Sequence, residues 1–243
     1  MSKTIVITGA GEGLGRALAR RFAREGERVI LLGRTAEKIE AVAREIGDRA
    51  LAVSCDVSSA ESVRHAFTAI AACVPRIDVL INNAGIYRLF AIADATDEQI
   101  LASVGTNLSG PMFCVREALP LMDEGSHIIN VTSEGVELPF PLMSVYQATK
   151  AGLERFTTAI YRELEPQGIK VSYVRAGAMA EEGKGWRDVE PEVGARFARE
   201  TAANGLSGRG ISHYDSVTQV FRSLIDMPDD VHALGTVLFG RKS

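Results

Sequence analysis

Tyr146 and Lys150 are the first pair of residues in this sequence whose types and spacing could do proton-transfer chemistry. They lie four positions apart in a stretch with helical apolar spacing, which puts both side chains on one face of a helix. A free phenol has a pKa of about 10 and exchanges protons poorly at neutral pH. Because a nearby ammonium stabilises the phenolate, we expect Lys150 to lower the pKa of Tyr146 toward the range of a useful general acid or base. Such a pair is also common on exposed helix faces, so other residues must support the interpretation.

Two further polar residues supply that support. Ser133 follows the apolar run 127–131 and stands thirteen residues before Tyr146. Asn107 lies inside a stretch with helical spacing, two residues after Gly105. Asparagine is a poor choice for a helix interior unless it has a polar task. The candidate catalytic group is therefore Asn107, Ser133, Tyr146 and Lys150.

A glycine cluster between the first apolar run and the first helical stretch predicts a phosphate-binding loop. Gly9, Gly11, Gly13 and Gly15 lie in the segment 8–15. Glycines permit a tight turn and close approach of the backbone to a pyrophosphate, while the helix N-terminus supplies free N–H groups. No Gly-Lys-Ser/Thr follows, which excludes the phosphate-loop NTPases. We therefore expect a dinucleotide to bind here.

The residues after the second apolar run bear on which dinucleotide binds. Folds that bind NAD usually carry an acidic residue there for the ribose hydroxyls, whereas this chain has Gly33-Arg34-Thr35. A guanidinium forks onto phosphate oxygens, so Arg34 favours NADP(H). Glu12 is the argument for NAD(H), because its charge could lie near the same phosphate. Arg34 could also be an ordinary solvated surface residue.

The hydrophobic pattern predicts a doubly wound α/β sheet of about seven parallel strands with helices on both faces. Short continuous apolar runs suit strands that are buried on both sides, and they occupy 4–8, 29–32, 50–54, 79–81, 127–131, 171–174 and 236–239. Between them lie helical stretches that begin near Leu14 and cover 36–46, 61–72, 97–122, 144–165 and 215–226. We expect a single domain over 1–243. The long segment 176–211 breaks the rhythm and is expected to be a mobile substrate-binding flap.

Composition excludes several classes of protein. The chain has 243 residues, 46% hydrophobic and 24% charged, with a net charge of −4, which lacks the basic field that nucleic acids or anionic membranes attract. No run of about 20 apolar residues suggests a membrane span, and no signal peptide is recognised. The three cysteines and four histidines show no disulfide or metal-ligand spacing. We expect a cytoplasmic protein without a metal.

These motifs, in this order from residue 4 to about 178, resemble the short, single-domain branch of the short-chain dehydrogenase/reductase family, which has a Rossmann-like fold. The resemblance implies that Tyr146 is the general acid or base and that Lys150 lowers its pKa and binds the nicotinamide ribose. It also implies that Ser133 bonds to the substrate oxygen and that Asn107 holds a water in a proton relay. The implied cofactor-binding residues are Gly9, Gly11, Glu12, Gly13, Leu14, Gly15, Arg34, Asp56, Val57, Asn83, Ala84, Gly85, Tyr146, Lys150 and Gly177.

Substrate contacts and assembly follow from the same resemblance. Met143 and Tyr87 are expected to line the substrate pocket, and Trp186 either roofs it or packs within the flap. The chain departs from the family where a proline is replaced by Ala176 and a threonine by Glu181, which should loosen that turn and weaken a cofactor contact. A homodimer or homotetramer is expected, with a dimer formed through the helices at 97–122 and 144–165.

The resulting hypothesis is an NADP(H)-dependent oxidoreductase that acts on a carbonyl or secondary alcohol of a small molecule. Two alternatives remain open at this point. One is an NAD-dependent alcohol dehydrogenase of the same family, and the other is a non-catalytic protein that senses the cofactor on the same fold.

Overall fold

The computed structural model describes residues 2–180 and 189–241 and shows an α/β molecule built on a seven-stranded sheet. In chain order its elements are β1 (Thr4–Thr8), α1 (Gly13–Arg24), β2 (Arg28–Gly33), α2 (Ala36–Ile46), β3 (Ala50–Ser54), α3 (Ala60–Cys73), β4 (Val79–Asn82), α4 (Asp97–Val104), α5 (Gly110–Ala118), β5 (His127–Ser133), α6 (Ser144–Leu164), β6 (Lys170–Ala176), β7 (Met179–Ala180), α7 (Pro191–Ala203), β8 (Ser212–His213), α8 (Tyr214–Ile225) and β9 (Gly235–Leu238).

All seven strands of the main sheet are parallel and follow the order β3-β2-β1-β4-β5-β6-β9. The chain first builds outward from β1 through β2 and β3, then returns to pair β4 on the other side of β1. In such sheets ligands bind at the carboxyl ends of the strands, beside the point where the order reverses. The predicted doubly wound, Rossmann-like class is confirmed, and that point lies between β1 and β4.

Helices cover both faces of the sheet, and successive strand residues alternate between two cores. In β1, Ile5 and Ile7 pack with α1, α2 and α8, whereas Val6 packs with α3, α5 and α6. Because both faces are buried, every position of such a strand can be apolar, which explains the continuous runs. No helix within 2–180 or 189–241 is long and apolar enough to span a bilayer.

The stretch 97–122, which the sequence predicts as one helix, is interrupted in the structure. A π-helical turn, Gly105–Ser109, separates α4 from α5, and a 3-10 turn at Leu119–Leu121 follows α5. The start of α5 packs very closely on its neighbours: a Cβ on Gly110 would lie 3.0 Å from the backbone oxygen of Val57. π-Helical turns occur mostly as single turns inside helices and often at functional sites.

The segment between β6 and α8 contains structure that the sequence patterns did not predict. The helix α7 begins at Pro191, whose fixed φ suits the first helical position, and β7 pairs with β8 in a separate two-stranded sheet. Ala176 is not loosened by the missing proline, because it pairs with Ser133 on one side and Leu238 on the other. Glu181 and Trp186 lie outside the described residues.

Candidate active site

The glycine loop between β1 and α1 is shaped by positions that only glycine tolerates. Gly9 and Gly13 have φ values of 67° and 55°, a region that other residues rarely adopt. A Cβ on Gly15 would lie 2.3 Å from the carbonyl oxygen of Gly9, so the loop folds tightly back on the helix. This is a backbone cradle that side chains would fill. Leu14 does not point into it and is buried in the core on one face of the sheet.

The N-terminus of α1 has no side-chain cap. Glu12 occupies the N-cap position but makes no capping hydrogen bond, and its Oε2 lies 2.8 Å from Lys38 Nζ. Uncapped N–H groups with the positive end of a helix dipole form a favourable site for a phosphate. A tight glycine loop beside a helix start without a side-chain cap fits a dinucleotide pyrophosphate. The hydroxyl of Tyr214 borders this loop, 3.4 Å from where a Cβ on Gly13 would lie.

Lys38 is a residue at this loop that the sequence analysis missed. It lies on α2, and a Cβ on Gly11 would be 2.9 Å from Lys38 Cβ, so the lysine stem borders the glycine loop. Arg34 follows β2 and is exposed. The basic residue was not evident from sequence, since its position depends on how α2 packs against the loop.

The end of β4 is fastened to the glycine loop through Asn83. Its Nδ2 donates to the backbone oxygens of Thr8 and Gly9 at 2.9 and 3.4 Å. The Thr8 hydroxyl in turn accepts from the backbone N–H groups of Asn83 and Ala84. These bonds hold the two strand ends on either side of the reversal point together, where the sequence analysis placed the cofactor.

Ser133, at the end of β5, hydrogen-bonds to the hydroxyl of Tyr146 on α6. Its Oγ also accepts from the backbone N–H of Gly135 at 3.1 Å, which fixes its position. Burial raises the pKa of Tyr146, the bond from Ser133 opposes that rise, and the charges of Tyr87 and Glu134 add to it. The expected lowering by Lys150 is therefore not the net effect of these protein groups: Lys150 Nζ lies 6.0 Å from the ring centroid, and burial is the largest cause of the rise in the pKa.

Lys150 is held one turn further along α6. Only 4% of the residue is exposed, and its Nζ donates to the carbonyl oxygen of Val131 at 2.8 Å. Burial lowers the pKa of Lys150 to about 8. A Cβ on Gly85 would lie 3.4 Å from Lys150 Nζ and 3.4 Å from Asn107 Oδ1. Both polar groups therefore border the space beside this glycine.

Asn107 lies in the π-helical turn and is fully buried. Its Oδ1 accepts from the backbone N–H of Ile86, and its Nδ2 donates to Ile86 O, both at 2.8 Å. Nδ2 also lies 3.2 Å from the hydroxyl of Thr149, on α6 beside Lys150. The turn thus joins the loop after β4 to the helix that carries the tyrosine and lysine.

The remaining predicted site residues surround this group at different distances from it. Asp56 accepts from the backbone N–H and hydroxyl of Ser58, and the adjacent Val57 is buried. Gly177 donates its N–H to Leu238 O, and a Cβ there would lie 2.8 Å from that oxygen. Tyr87 stands edge-on to Tyr146 at 6.4 Å between ring centroids. Met143 is half-buried at the start of α6.

No group of three or more His, Cys, Asp or Glu side chains that could hold a metal ion occurs in the described part of the chain. The side chains that the described residues bring together at this site are a phenol, a hydroxyl, an ammonium and an amide, beside the glycine cradle.

Comparison with known proteins agrees with this arrangement. Residues 3–186 match the family described as short chain dehydrogenase. The chain is 35% identical to chlorophyll(ide) b reductase NOL of Arabidopsis thaliana over 176 residues, 68% of this chain and about half (51%) of that protein's length. It is 30% identical to carbonyl reductase family member 4 of Danio rerio over 230 residues, which cover 94% of this chain and 93% of that protein.

Solved structures share the whole fold. A 3-ketoacyl-(acyl-carrier-protein) reductase from Brucella melitensis in complex with NADH has a TM-score of 0.83 and 28% identity, covering 99% of this chain and 98% of that one. A short chain dehydrogenase from Burkholderia cenocepacia J2315 in complex with NADP has the same TM-score and identity, covering 98% and 96%. The chain thus belongs to the short-chain dehydrogenase/reductase family, oxidoreductases that act on small-molecule CH–OH groups with NAD(P).

Proposed function

We propose that the protein is an NADP(H)-dependent oxidoreductase that interconverts a carbonyl and a secondary alcohol of a small molecule. The observation that carries the proposal is the meeting of Ser133, Tyr146 and Lys150 at the carboxyl ends of the central strands, next to the glycine cradle. Related proteins with NADH or NADP bound share the fold at 28% identity, which supports a nicotinamide cofactor.

The proposed mechanism uses Tyr146 as the proton donor in reduction and the acceptor in oxidation. When bound, the nicotinamide supplies or accepts the hydride. Ser133 donates a hydrogen bond to the substrate oxygen, which stabilises the negative charge that grows there as the carbonyl is reduced. Tyr146 passes its hydroxyl proton to that oxygen, and the raised pKa of the phenol keeps it protonated at neutral pH.

Lys150 and Asn107 support the proton transfer. The Lys150 ammonium has three protons, of which the described contacts use one on Val131 O. We assign the others to the cofactor ribose. Asn107, adjacent to Lys150 around Gly85, is proposed to hold a water that returns a proton to the tyrosine after each turnover.

The preference for NADP(H) rests on the charges at the glycine loop. Arg34 and Lys38 place two cations at the end of β2 and on α2, and Lys38 forms an ion pair with Glu12. Glu12 was the argument for NAD(H), since its carboxylate would repel a 2′-phosphate. Because Lys38 offsets that charge, the balance of these groups favours the phosphorylated cofactor.

We also propose that described residues between Gly177 and Ile211 form part of the substrate pocket. The ring centroids of Phe197, on α7, and Phe140, just before α6, lie 6.4 Å apart. The helix α7 therefore packs close to the start of α6, which carries Tyr146 and Lys150. Tyr87 stands edge-on to Tyr146, and Met143 directly precedes α6. The segment is thus placed to choose among substrates.

Substitution of the tyrosine tests the proposed function. Tyr146→Phe should reduce kcat/KM for NADPH-dependent reduction of small aldehydes and ketones by about 10²- to 10⁴-fold, because the proton donor is lost. Loss of NADPH absorbance measures turnover, and protein fluorescence measures cofactor binding, which should persist.

Tyr161→Phe is the matched control, since Tyr161 lies on the same helix with its hydroxyl on Glu165, away from Ser133. Full turnover by the Tyr146→Phe protein would contradict the assignment. Binding of NADPH without turnover in the wild type, across the aldehyde and ketone panel, would favour the cofactor-sensing alternative.

A further inference from the structure

Glu134 is a buried carboxylate beside the catalytic serine that neither the motif nor the proposed mechanism uses. It follows Ser133 directly, in the 3-10 turn Glu134–Val136, and only 7% of the residue is exposed. Carboxylates are seldom buried unless they are paired, because desolvation of the charge is costly. Its partners therefore indicate why it is there.

The two oxygens of Glu134 bind opposite ends of the segment between β6 and α8. Oε1 accepts from the backbone N–H of Ala178 at 3.2 Å, just after β6. Oε2 lies 2.8 Å from Nε of Arg209, just before β8. The guanidinium of Arg209 also stands over the ring of Phe239 at 5.1 Å, which holds it in place. A single carboxylate thus touches both ends of the 177–211 segment.

The ends of this segment are already joined by the backbone, so closure alone does not require a charge. Met179 pairs with Ser212, Ala180 with His213, and Gly210 bridges to Gly240. A neutral oxygen could accept the Ala178 N–H equally well. What the ion pair adds is a negative charge at the phenol and a cation that offsets it.

Among the described residues, four groups face Tyr146 from the elements around it. Ser133 and Glu134 come from the end of β5, Tyr87 from the loop after β4, and Lys150 from α6 itself. The negative charge of Glu134 raises the pKa of Tyr146. Arg209 is the cation paired with that charge, and it is supplied by the segment that we place at the substrate pocket.

We propose that Glu134 and Arg209 form a charge-balanced latch, which holds both ends of the 177–211 segment against Ser133 and neutralises the buried charge beside Tyr146. Glu134 is a positioning residue and Arg209 its counter-charge. The inference rests on the proposed function, since it concerns the same tyrosine. Any change that draws Arg209 away also makes the phenol a weaker acid, so the segment and proton transfer are coupled.

The test compares the two halves of the pair. Arg209→Met leaves Glu134 uncompensated, so the pKa of Tyr146 should rise by about 0.5–1 unit. Glu134→Gln keeps an oxygen for Ala178 but removes the charge, so that pKa should fall by about the same amount. The double variant removes both charges, so its pKa should lie between those of the single variants, near the wild-type value. The pKa is measured from the alkaline limb of kcat/KM for ketone reduction.

A second measurement makes the test independent of catalysis. The pH titration of phenolate absorbance, taken as the difference between each variant and its Tyr146→Phe counterpart, reports the phenol directly. If Tyr146→Phe retains turnover, the proposed function fails, whereas this titration still decides on the latch.

Two controls separate charge from packing. Arg209→Lys keeps the cation and should leave the pKa of Tyr146 near its wild-type value. Thermal unfolding shows whether Arg209→Met folds, and Arg209→Lys still tests the charge if it does not. Glu137→Gln removes a carboxylate in the following turn that pairs with Arg175, and it should shift nothing. Shifts of both single variants in the same direction, or no shift in either, would overturn the latch, because a merely structural role cannot move the pKa in opposite senses.

Discussion

We propose that three charged side chains around the glycine loop decide whether the cofactor site prefers NADPH or NADH. Arg34 and Lys38 are cations, and Glu12 is held by Lys38 at 2.8 Å. All three are exposed, so each interaction is screened by solvent and is modest by itself. The 2′-phosphate dianion of NADPH would interact with both cations at once, whereas the neutral ribose hydroxyl of NADH would gain little from them.

We predict that removal of either cation weakens NADPH binding selectively. Lys38→Met deletes a phosphate partner and frees the Glu12 carboxylate, so NADPH affinity should fall about tenfold while NADH affinity stays within a factor of two to three. Arg34→Met should act in the same direction. Fluorescence titration with both cofactors measures the ratio.

Arg44→Met is the control, since Arg44 lies on the same helix and pairs only loosely with Glu40 at 3.8 Å. If Lys38→Met lowered the affinities for NADPH and NADH equally, Lys38 would act by shaping the glycine loop and not by binding the 2′-phosphate. Tighter NADH binding by the wild type would make Glu12 the dominant group.

At this scale the sequence predicted residues whose spacing is local and missed those whose partners are distant. Tyr146 and Lys150 share a helix face, which the four-residue spacing guarantees. Lys38 and Glu134 find Glu12 and Arg209 only after the chain has folded. The direction of the Tyr146 pKa was missed for a related reason, since burial is the largest cause of its rise and depends on how the whole chain packs.

At the scale of elements, the helix that carries the candidate site is fastened to the sheet by a buried ion pair. Glu154 lies on α6, one turn beyond Lys150, and accepts a fork from Arg175 of β6 at 2.9 and 2.6 Å. Thr132 of β5 also donates to Glu154 at 2.7 Å. The pair thereby sets α6 against the ends of β5, which carries Ser133, and of β6.

We predict that breaking this pair destabilises the protein strongly, whereas replacing both partners does not. Arg175→Met leaves Glu154 charged and buried and should cost about 3–5 kcal/mol of unfolding free energy. The double variant Arg175→Met with Glu154→Met should recover most of that loss, because two apolar side chains need no counter-charge. Denaturant unfolding gives both values.

Arg162→Met, at an exposed pair with Glu165 on the same helix, should cost less than about 0.5 kcal/mol. A double variant as unstable as Arg175→Met would mean that shape rather than charge holds α6 in place.

Helix interruptions were beyond what apolar spacing could show. The stretch 97–122 keeps its buried positions across the π-helical turn, so the periodicity gave no sign of a break. Gly105, Asn107 and Gly110 are the signals that were available, since each is a poor helix former. In α7 the apolar residues Val193 and Phe197 are too sparse to outweigh the charged residues around them.

The architecture of the whole molecule was predictable because strand burial leaves a continuous apolar signature. All seven predicted runs are strands of one parallel sheet, within one or two residues at most of their ends. The described ends of the 177–211 segment were not predictable, since their positions depend on contacts with Gly240 and with Glu134, far away in the chain.

The outer surface of the helices α4, α5 and α6 is where we expect a second copy to bind. Leu101 of α4 is 68% exposed, and Phe113 of α5 and Phe156 of α6 are only partly covered. Exposed apolar side chains on neighbouring helices are typical of an interface, and a twofold axis would place the same helices of two chains together. Such contacts would also support the helix that bears Tyr146 and Lys150.

We therefore predict a dimer in solution that Leu101→Arg dissociates. A guanidinium at the centre of an apolar interface loses its hydration without gaining a partner, so the sedimenting mass should fall to that of one chain. Val237→Arg, on the free sheet edge at β9, should leave the dimer intact. If Val237→Arg dissociated the dimer and Leu101→Arg did not, the interface would lie at the β9 edge. A monomeric wild-type protein would contradict the predicted dimer. If the helical interface supports the site, the Leu101→Arg protein should also lose turnover, whereas NADPH binding should weaken without being lost, because the glycine cradle on β1 and α1 remains while the proposed contact of Lys150 with the ribose is disturbed.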